Sequence, residues 1–542
     1  FRRVLFRSCT VAAMAVLTGC GGDKKETAAA PAEGNTTAAV TEAAKTEAET
    51  TAAVQTEAGG EKNLVMPSAS CVANLNPLLE GYKEAAMLNP IYDPLYVIDV
   101  NETRYYLADS YEVSEDGMQI TVKLKEGLKW HDGEAITADD MIFTMDVCSD
   151  TNNGAGGTNI VILNDQPVKY EKVDDLTVKV TLPMASASYA DLLGSLTLIP
   201  EHVFEGNPSV VSAGEANMKG IGSGPYKVTE FKQDEYLLLE KYEDYYMGAP
   251  SIDKVTFRII SDLSAQEVAL MNGEVNFMEL ANAPAVAKYE ADPNFTVVKY
   301  PEGRVNYLAV NKFCETVQDP KVVEAVFAAL NRDEIIAGAY GDGMAESANS
   351  IFSNVNTFYD PSVEGYTQDV EKAKQLVKET GLDSKTLTLY FNSERVYMKE
   401  SAQIIQQQLK NVGINLEVIP LESAGFFEKV FGTDGDYEFY LNGYGAVGDP
   451  DQVVAGMYDG TWGVNLAVSD EVSQLWKDAR TVYTPEERAA IYKQIQIQTR
   501  DELTCYPIAY PNYVFVTTSN IKGADTIKRT PVFEDYTKLT ME

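Results

Sequence analysis

Alternation of apolar and polar positions is the first regularity in the chain. Ile120, Val122 and Leu124 share one face of an extended segment, and Leu176, Val178, Val180 and Leu182 repeat the arrangement. A period of two is the mark of a half-buried strand. Between the two segments, Thr137-Ala138-Asp139-Asp140 sets an acid three residues after a hydroxyl, a helix start of the capping-box kind. Asp319-Pro320 places proline in the first turn of another helix. Thr484-Pro485-Glu486-Glu487 predicts a fuller capping box ahead of Ile491 and Ile495 at helical spacing. The stretch from 387 to 418 is the most legible. Leu387, Leu389 and Phe391 alternate as a strand, and Met398, Ala402, Ile405 and Leu409 fall on one helix face. Gly413 ends that helix, and Ile414, Leu416 and Val418 alternate again. A strand, helix and strand joined by short links form a right-handed βαβ unit with parallel strands, so the C-terminal half holds an α/β lobe. The chain shows no repeat of the solenoid kind.

The N-terminal sixty or so residues follow neither period. Arg2, Arg3 and Arg7 precede a short apolar run from Val11 to Leu17, which ends in Leu17-Thr18-Gly19-Cys20. That is the layout of a secretory signal peptide over residues 1–19, and the run is too short to span a bilayer. Leu-Thr-Gly-Cys resembles a bacterial lipobox, which implies that Cys20 heads the mature chain and carries lipid. Residues 21–60 are dominated by Ala, Thr, Glu, Gly and Lys and contain no aromatic. Such a composition cannot bury a core and predicts a disordered tether. A leash of this length would span roughly 35 Å root-mean-square, with the folded part starting near Lys62.

Composition then narrows the partners. Lys and Arg number 44 against 81 Asp and Glu, a formal charge of −37. A surface that acidic repels phosphate backbones and anionic bilayers, which argues against nucleic acid as a partner. Histidine occurs only at His131 and His202, too few for a His-rich metal site. Cys71, Cys148, Cys314 and Cys505 are widely separated without CxxC spacing, so sequence leaves disulfides or thiols open. No HExxH, Walker loop or Gly-x-Ser-x-Gly is present to suggest an enzyme.

Ordered blocks carry the strongest signal. Leu107 to Gly133 reads LADSYEVSEDGMQITVKLKEGLKWHDG and leads into Thr137-Ala138-Asp139-Asp140. Physically it is a turn at Glu115-Asp116-Gly117, a strand, a turn at Lys125-Glu126-Gly127 and a capped helix. His131, in a turn before Asp132-Gly133, reads as a hydrogen-bonded scaffold residue. Gly222-Ser223-Gly224-Pro225-Tyr226, the run from Asp244 to Pro250, Met271 to Val275, Leu330 to Ile335, Pro485 to Arg488 and Tyr506 to Tyr510 follow. In this order, over roughly residues 62 to 540, the chain resembles the family 5 extracellular solute-binding proteins, the oligopeptide-, dipeptide- and nickel-binding class. The Lys-Trp-His-Asp-Gly block is its most specific part.

The resemblance implies an α/β, two-lobed fold like that of periplasmic binding proteins, with mixed sheets, a discontinuous larger lobe and hinge strands between lobes. The expected organisation is a signal peptide (1–19), lipidated Cys20 and tether (20–61), and a larger lobe (62–304) with an inserted subdomain at about 98–218. A second α/β lobe (305–508) and a C-terminal segment returning to the larger lobe (509–542) complete it. The implied function is capture of a small solute, an oligopeptide first, and its delivery to the permease of an ABC importer. The chain would act as a monomer without cofactor, held to the outer face of the membrane by its lipid. An oligosaccharide, a modified amino compound or a metal chelate is the alternative cargo, and a ligand sensor or adhesin the alternative role.

Candidate site residues come from the same resemblance. Gly443 to Gly448 spells GxGxxG, a weak dinucleotide fingerprint on its own; in the family this stretch, ending in Asp449-Pro450, lines the ligand pocket. Peptide-binding members place an Asp three residues before that Asp, where it pairs with the peptide's α-ammonium. Here the position is Ala446, so either another acid replaces it or the ligand lacks a free amine. Arg395 and Tyr397 resemble a pair that contacts the ligand's carboxylate end. Tyr444, Gly445, Trp462 and Asn465 are further pocket candidates by position, and Ser68 and Ser70, after the first strand, offer polar contacts.

Overall fold

The structure, a computed structural model, describes residues 61–79, 87–98, 102–163, 165–445, 448–458, 466, 468–526 and 535–542. The expected signal peptide, Cys20 and the tether lie outside the described residues, as do Ala446, Trp462 and Asn465.

Three sheets carry the fold. The first runs in the order Asn63–Ser68, Lys254–Ile259, Tyr236–Lys241, Tyr226–Lys232. Its first pair is parallel and the others antiparallel, so the start of the folded chain is zipped to a segment far along the sequence. Leu64, Met66, Leu237, Leu239, Val255 and Phe257 fill one core beneath it. The strand Tyr226–Lys232 is not evident from the sequence. It lies at the sheet edge, and a register shift between Val228 and Glu230 breaks its alternation.

The second sheet is antiparallel throughout: Ala108–Val113, Gln119–Leu124, Thr177–Thr181 and Lys169–Asp174. The alternating residues Ile120, Val122, Leu124, Val178 and Val180 all point into one core, where the helix Ala138–Ser149 packs with Met141 and Met145. That helix starts as its sequence predicts. Asp139 N–H donates to Thr137 Oγ1 (3.2 Å), and Thr137 N–H donates to Asp140 Oδ2 (2.9 Å); such a cap stabilises by about 1 kcal/mol. The second predicted capping box does not form. The helix Pro485–Asp501 begins at Thr484 without a side-chain cap. Pro485 has no N–H to satisfy and presets the first turn, so the helix starts without the box.

The motif blocks are joined through His131. Its Nδ1 accepts from Gly222 N–H (3.2 Å), and its Nε2 faces Gly224 O (2.9 Å). A carbonyl can only accept, so Nε2 carries the proton and the ring is neutral. His131 N–H also donates to Gly222 O (3.0 Å). The Lys-Trp-His-Asp-Gly turn is thus fastened to the Gly-Ser-Gly-Pro-Tyr turn, as a scaffold histidine would do.

The third sheet has eight strands. Phe277–Glu279, Cys505–Thr518, Arg304–Val310, Phe439–Gly445, Thr386–Asn392 and Asn415–Leu421 form its main path, with Phe295–Pro301 and Ala345–Ser347 also paired to the long strand Cys505–Thr518. Thr386–Asn392 is parallel to Asn415–Leu421, and the helix Val396–Asn411 between them buries Met398, Ala402, Ile405 and Leu409, so the parallel βαβ pairing is present. Cys505–Thr518 belongs to two regions at once. Its first residues pair with Arg304–Val310 and its last with Phe295–Pro301. These last two strands follow each other through Glu302-Gly303, where Gly303 takes φ +73°, a conformation that favours glycine. Two adjacent strands therefore run from one lobe into the other. Cys148, Cys314 and Cys505 are buried thiols with no disulfide among them, and burial pushes Cys148 and Cys505 up to about 12.

Candidate ligand-binding site

Beside this crossing lies a cavity of about 190 Å³. Its polar wall comes from Arg304, Asn392, Arg395 and Asn442, and its apolar wall from Met398, Phe426, Phe427, Phe431, Tyr444 and Met457. Five separate segments contribute, so no short motif could have announced the site.

Arg395 is the N-cap residue of Val396–Asn411. Its backbone is held by Asn392 O (3.1 Å), and its exposed guanidinium has neither hydrogen bond nor ion pair among the described residues. The neighbouring acid is committed elsewhere: Glu394 Oε2 accepts from Ser423 Oγ (2.7 Å) and Oε1 from Ser423 N–H (3.2 Å), fixing the start of the helix Ser423–Val430. That helix and the residue after it supply the aromatic wall. Phe426 and Phe427 meet edge to face at 5.4 Å, and Phe427 stacks on Phe431 at 5.8 Å. Phe427 remains 39% exposed, an apolar surface left open inside a cleft.

Arg304 is held more firmly. Its Nε donates to Asn306 Oδ1 (3.0 Å), and its Nη2 donates to Gly443 O (2.8 Å). Gly443 is required for this packing: a Cβ there would sit 2.0 Å from Asn306 Oδ1 and 3.0 Å from Arg304 Nε. Gly443 lies inside the strand Phe439–Gly445, which Gly445 ends, so the first glycine of GxGxxG sits within a paired strand and packs on Asn306 and Arg304, which speaks against the dinucleotide reading.

Of the residues singled out from sequence, Arg395 and Tyr444 line the cavity. The ring of Tyr444 faces it, while its hydroxyl is turned away, donating to Ile351 O (2.7 Å) and lying 3.0 Å from the Tyr458 hydroxyl. Gly445 pairs with Arg304 at its edge. Tyr397 is outside the wall, stacked on Tyr340 at 5.3 Å. Ser68 Oγ donates to Ser70 O (2.7 Å), and both belong to the first sheet region. Sequence reasoning missed Arg304 and the Phe426-Phe427-Phe431 cluster. The signal for the latter was three phenylalanines within six residues, more aromatic surface than one short helix can bury.

Asp449 also acts differently from a pocket-lining residue. Buried at 8% exposure, it accepts from Arg488 Nη1 (2.5 Å) and Nη2 (3.0 Å) and from the Tyr492 hydroxyl (3.3 Å). Its backbone N–H donates to Asp191 Oδ2 (3.0 Å), and burial raises the Asp191 carboxyl to about 6.

The family model for bacterial extracellular solute-binding proteins, family 5, matches residues 102–465. The chain belongs to that family. A family 5 relative, the dipeptide-binding protein of Escherichia coli (strain K12), is 27% identical over 499 residues, covering 85% of this chain and 92% of that one. The crystal structure of the ABC transporter substrate-binding protein CtaP from Listeria monocytogenes shares 33% identity with a TM-score of 0.83, covering 89% of this chain and 99% of that one. The oligopeptide-binding protein AppA from Bacillus subtilis, solved with a nonapeptide, shares 26% identity with a TM-score of 0.69, covering 89% and 99%. The two-lobed periplasmic-binding-protein architecture and the role of solute binding for ABC import follow from membership of family 5, a family of binding proteins rather than enzymes.

Proposed function

We propose that this family 5 protein captures a peptide between its lobes and hands it to the permease of an ABC importer. The observation that carries the reading is the unpaired guanidinium of Arg395 at a helix N-terminus, beside an open aromatic wall. A guanidinium forks onto a carboxylate, and the helix terminus adds favourable polarity. The cavity is below the ~300–1,000 Å³ usual for a whole drug-sized ligand, which suits the carboxylate-bearing end of a longer molecule whose remaining residues lie along the cleft. In this reading the larger lobe comprises 62–304 with 509–542, the second lobe 305–508, and Cys20 carries the lipid that holds the monomer to the outer face of the membrane.

Peptide pools of two to eight residues test it. With ligand-stripped protein, saturating peptide raises the melting temperature, since ligand at 100 times its Kd stabilises by about 2.7 kcal/mol. C-terminal amidation and Arg395→Ala each weaken calorimetric affinity by about 2 kcal/mol or more. No response to any peptide, with a response to oligosaccharides or metal chelates, would replace peptide with those solutes.

A further inference from the structure

We infer that the site selects the side chain of a peptide's last residue, taking large apolar and aromatic ones against the wall formed by Phe427 and Phe431; the inference rests on the peptide reading above. Phe427 and Phe431 are four residues apart, one turn along the helix Ser423–Val430 and the residue that follows it. Residues at this spacing share a helix face, and these two rings stack on each other. Phe426 is spent on the lobe's own core, fully buried with Val430 and Tyr437. Phe427 has no such cover and stays exposed. A lone exposed ring calls for no explanation, but this one is part of a concave apolar lining with Met398, Tyr444 and Met457.

The wall is fixed relative to Arg395. Asn392 Nδ2 donates to Ser423 Oγ (2.8 Å), and Glu394 accepts from Ser423 N–H and Oγ, so the turn that presents the guanidinium also holds the first residue of the aromatic helix. Near the other end of that helix, Lys429 Nζ pairs with Asp434 (2.9 Å) and Asp436 (2.8 Å). The guanidinium and the rings line one cavity of about 190 Å³, so small that a carboxylate seated on Arg395 leaves only the side chain of the same residue to meet the rings. The lining decides which side chain that is. No carboxylate is present among its described residues, so a lysine or arginine side chain would lose water beside two guanidinium groups without gaining a partner. An acidic side chain would have to compete with Asn306 and Gly443 for Arg304. Glycine or serine leaves the wall in water, whereas burying a phenylalanine or leucine side chain against it favours that residue on the order of 10- to 100-fold.

The test is a competition. A random pool of peptides two to eight residues long is offered to ligand-stripped wild-type protein, Phe427→Ala and Phe427→Trp. Bound peptides are eluted and sequenced by mass spectrometry, and the frequency of each residue at the first and last positions is compared with that in the pool. The wild type should enrich phenylalanine, tryptophan, leucine and methionine over glycine and serine at the last position, on the order of 10- to 100-fold, with no such preference at the first. Phe427→Ala should cut that preference by about tenfold, and Phe427→Trp should keep it. Equal retention of all last residues by the wild type overturns the inference and leaves the peptide reading intact. So does enrichment of charged last residues, the same preference at the first position, or a preference that Phe427→Ala leaves unchanged. Retention of no peptide by the wild type overturns both.

Discussion

His131 shows how a residue that invites a catalytic reading can be spoken for by the backbone. Both ring nitrogens are used, one accepting from Gly222 N–H and one facing Gly224 O, and burial lowers its pKa from 6.5 to about 4. In the unfolded chain the ring protonates near 6.5, while in the folded protein it stays neutral to about 4. Between these values the unfolded state binds the extra proton, so stability is lost as pH falls through that window and is unaffected above it. The full effect is about 3 kcal/mol. Denaturant titrations at pH 7 and pH 5 should therefore show a smaller pH-dependent loss for His131→Asn than for wild type; equal losses would contradict the neutral, doubly bonded ring. The site was half legible at this scale. Arg395 and Tyr444 were visible because they sit in motif-like blocks, whereas Arg304 and Phe427 act only through neighbours brought from other segments.

Among elements, those with a clean period were readable. The strand Thr386–Asn392, the helix Val396–Asn411 and the strand Asn415–Leu421 bury one face each, so hydrophobic spacing alone places them. Tyr226–Lys232 and the hairpin partners Ala108–Val113 and Lys169–Asp174 lie at sheet edges with much of their surface wet, and the pattern is correspondingly weak. Helix Pro485–Asp501 is positioned by an interaction that no pattern reveals, the buried pair of Arg488 and Asp449. Removing one partner of such a pair leaves an uncompensated buried charge and costs about 3–5 kcal/mol. Arg488→Met should lower unfolding free energy by that amount. Adding Asp449→Asn, which keeps the cap on Asp451 N–H, should recover at least part of the loss. A single variant within about 1 kcal/mol of wild type, or a double no better than the single, would contradict this account.

The whole molecule is built to change the distance between lobes. Arg304–Val310 with Phe295–Pro301, and the long strand Cys505–Thr518, are shared by both. Away from this crossing, residues near the start of the helix Tyr189–Gly194 touch the second lobe: Ser188 Oγ donates to Asp451 Oδ2 (3.0 Å), Gln452 Nε2 to Ser188 Oγ (2.7 Å) and Ala187 N–H to Arg480 O (3.1 Å). Gly117 lies so close to Tyr483 that a Cβ would come within 2.0 Å of its ring. These contacts, with Asp191 on Asp449 N–H, describe lobes drawn together over the cleft. Those hydrogen bonds are polar, and polar inter-lobe contacts are of the kind that can part and re-form as a ligand leaves and enters. Alternation and helix spacing foretold the α/β lobe of the C-terminal half, and the family resemblance implied the second lobe, but neither foretold these contacts, which join positions more than two hundred residues apart.

Small-angle X-ray scattering of ligand-stripped protein, with and without a saturating peptide, tests the central claim most directly. Capture between closing lobes predicts a smaller radius of gyration in the presence of peptide. Superimposable scattering curves, at a peptide concentration that calorimetry shows to saturate the site, would contradict it.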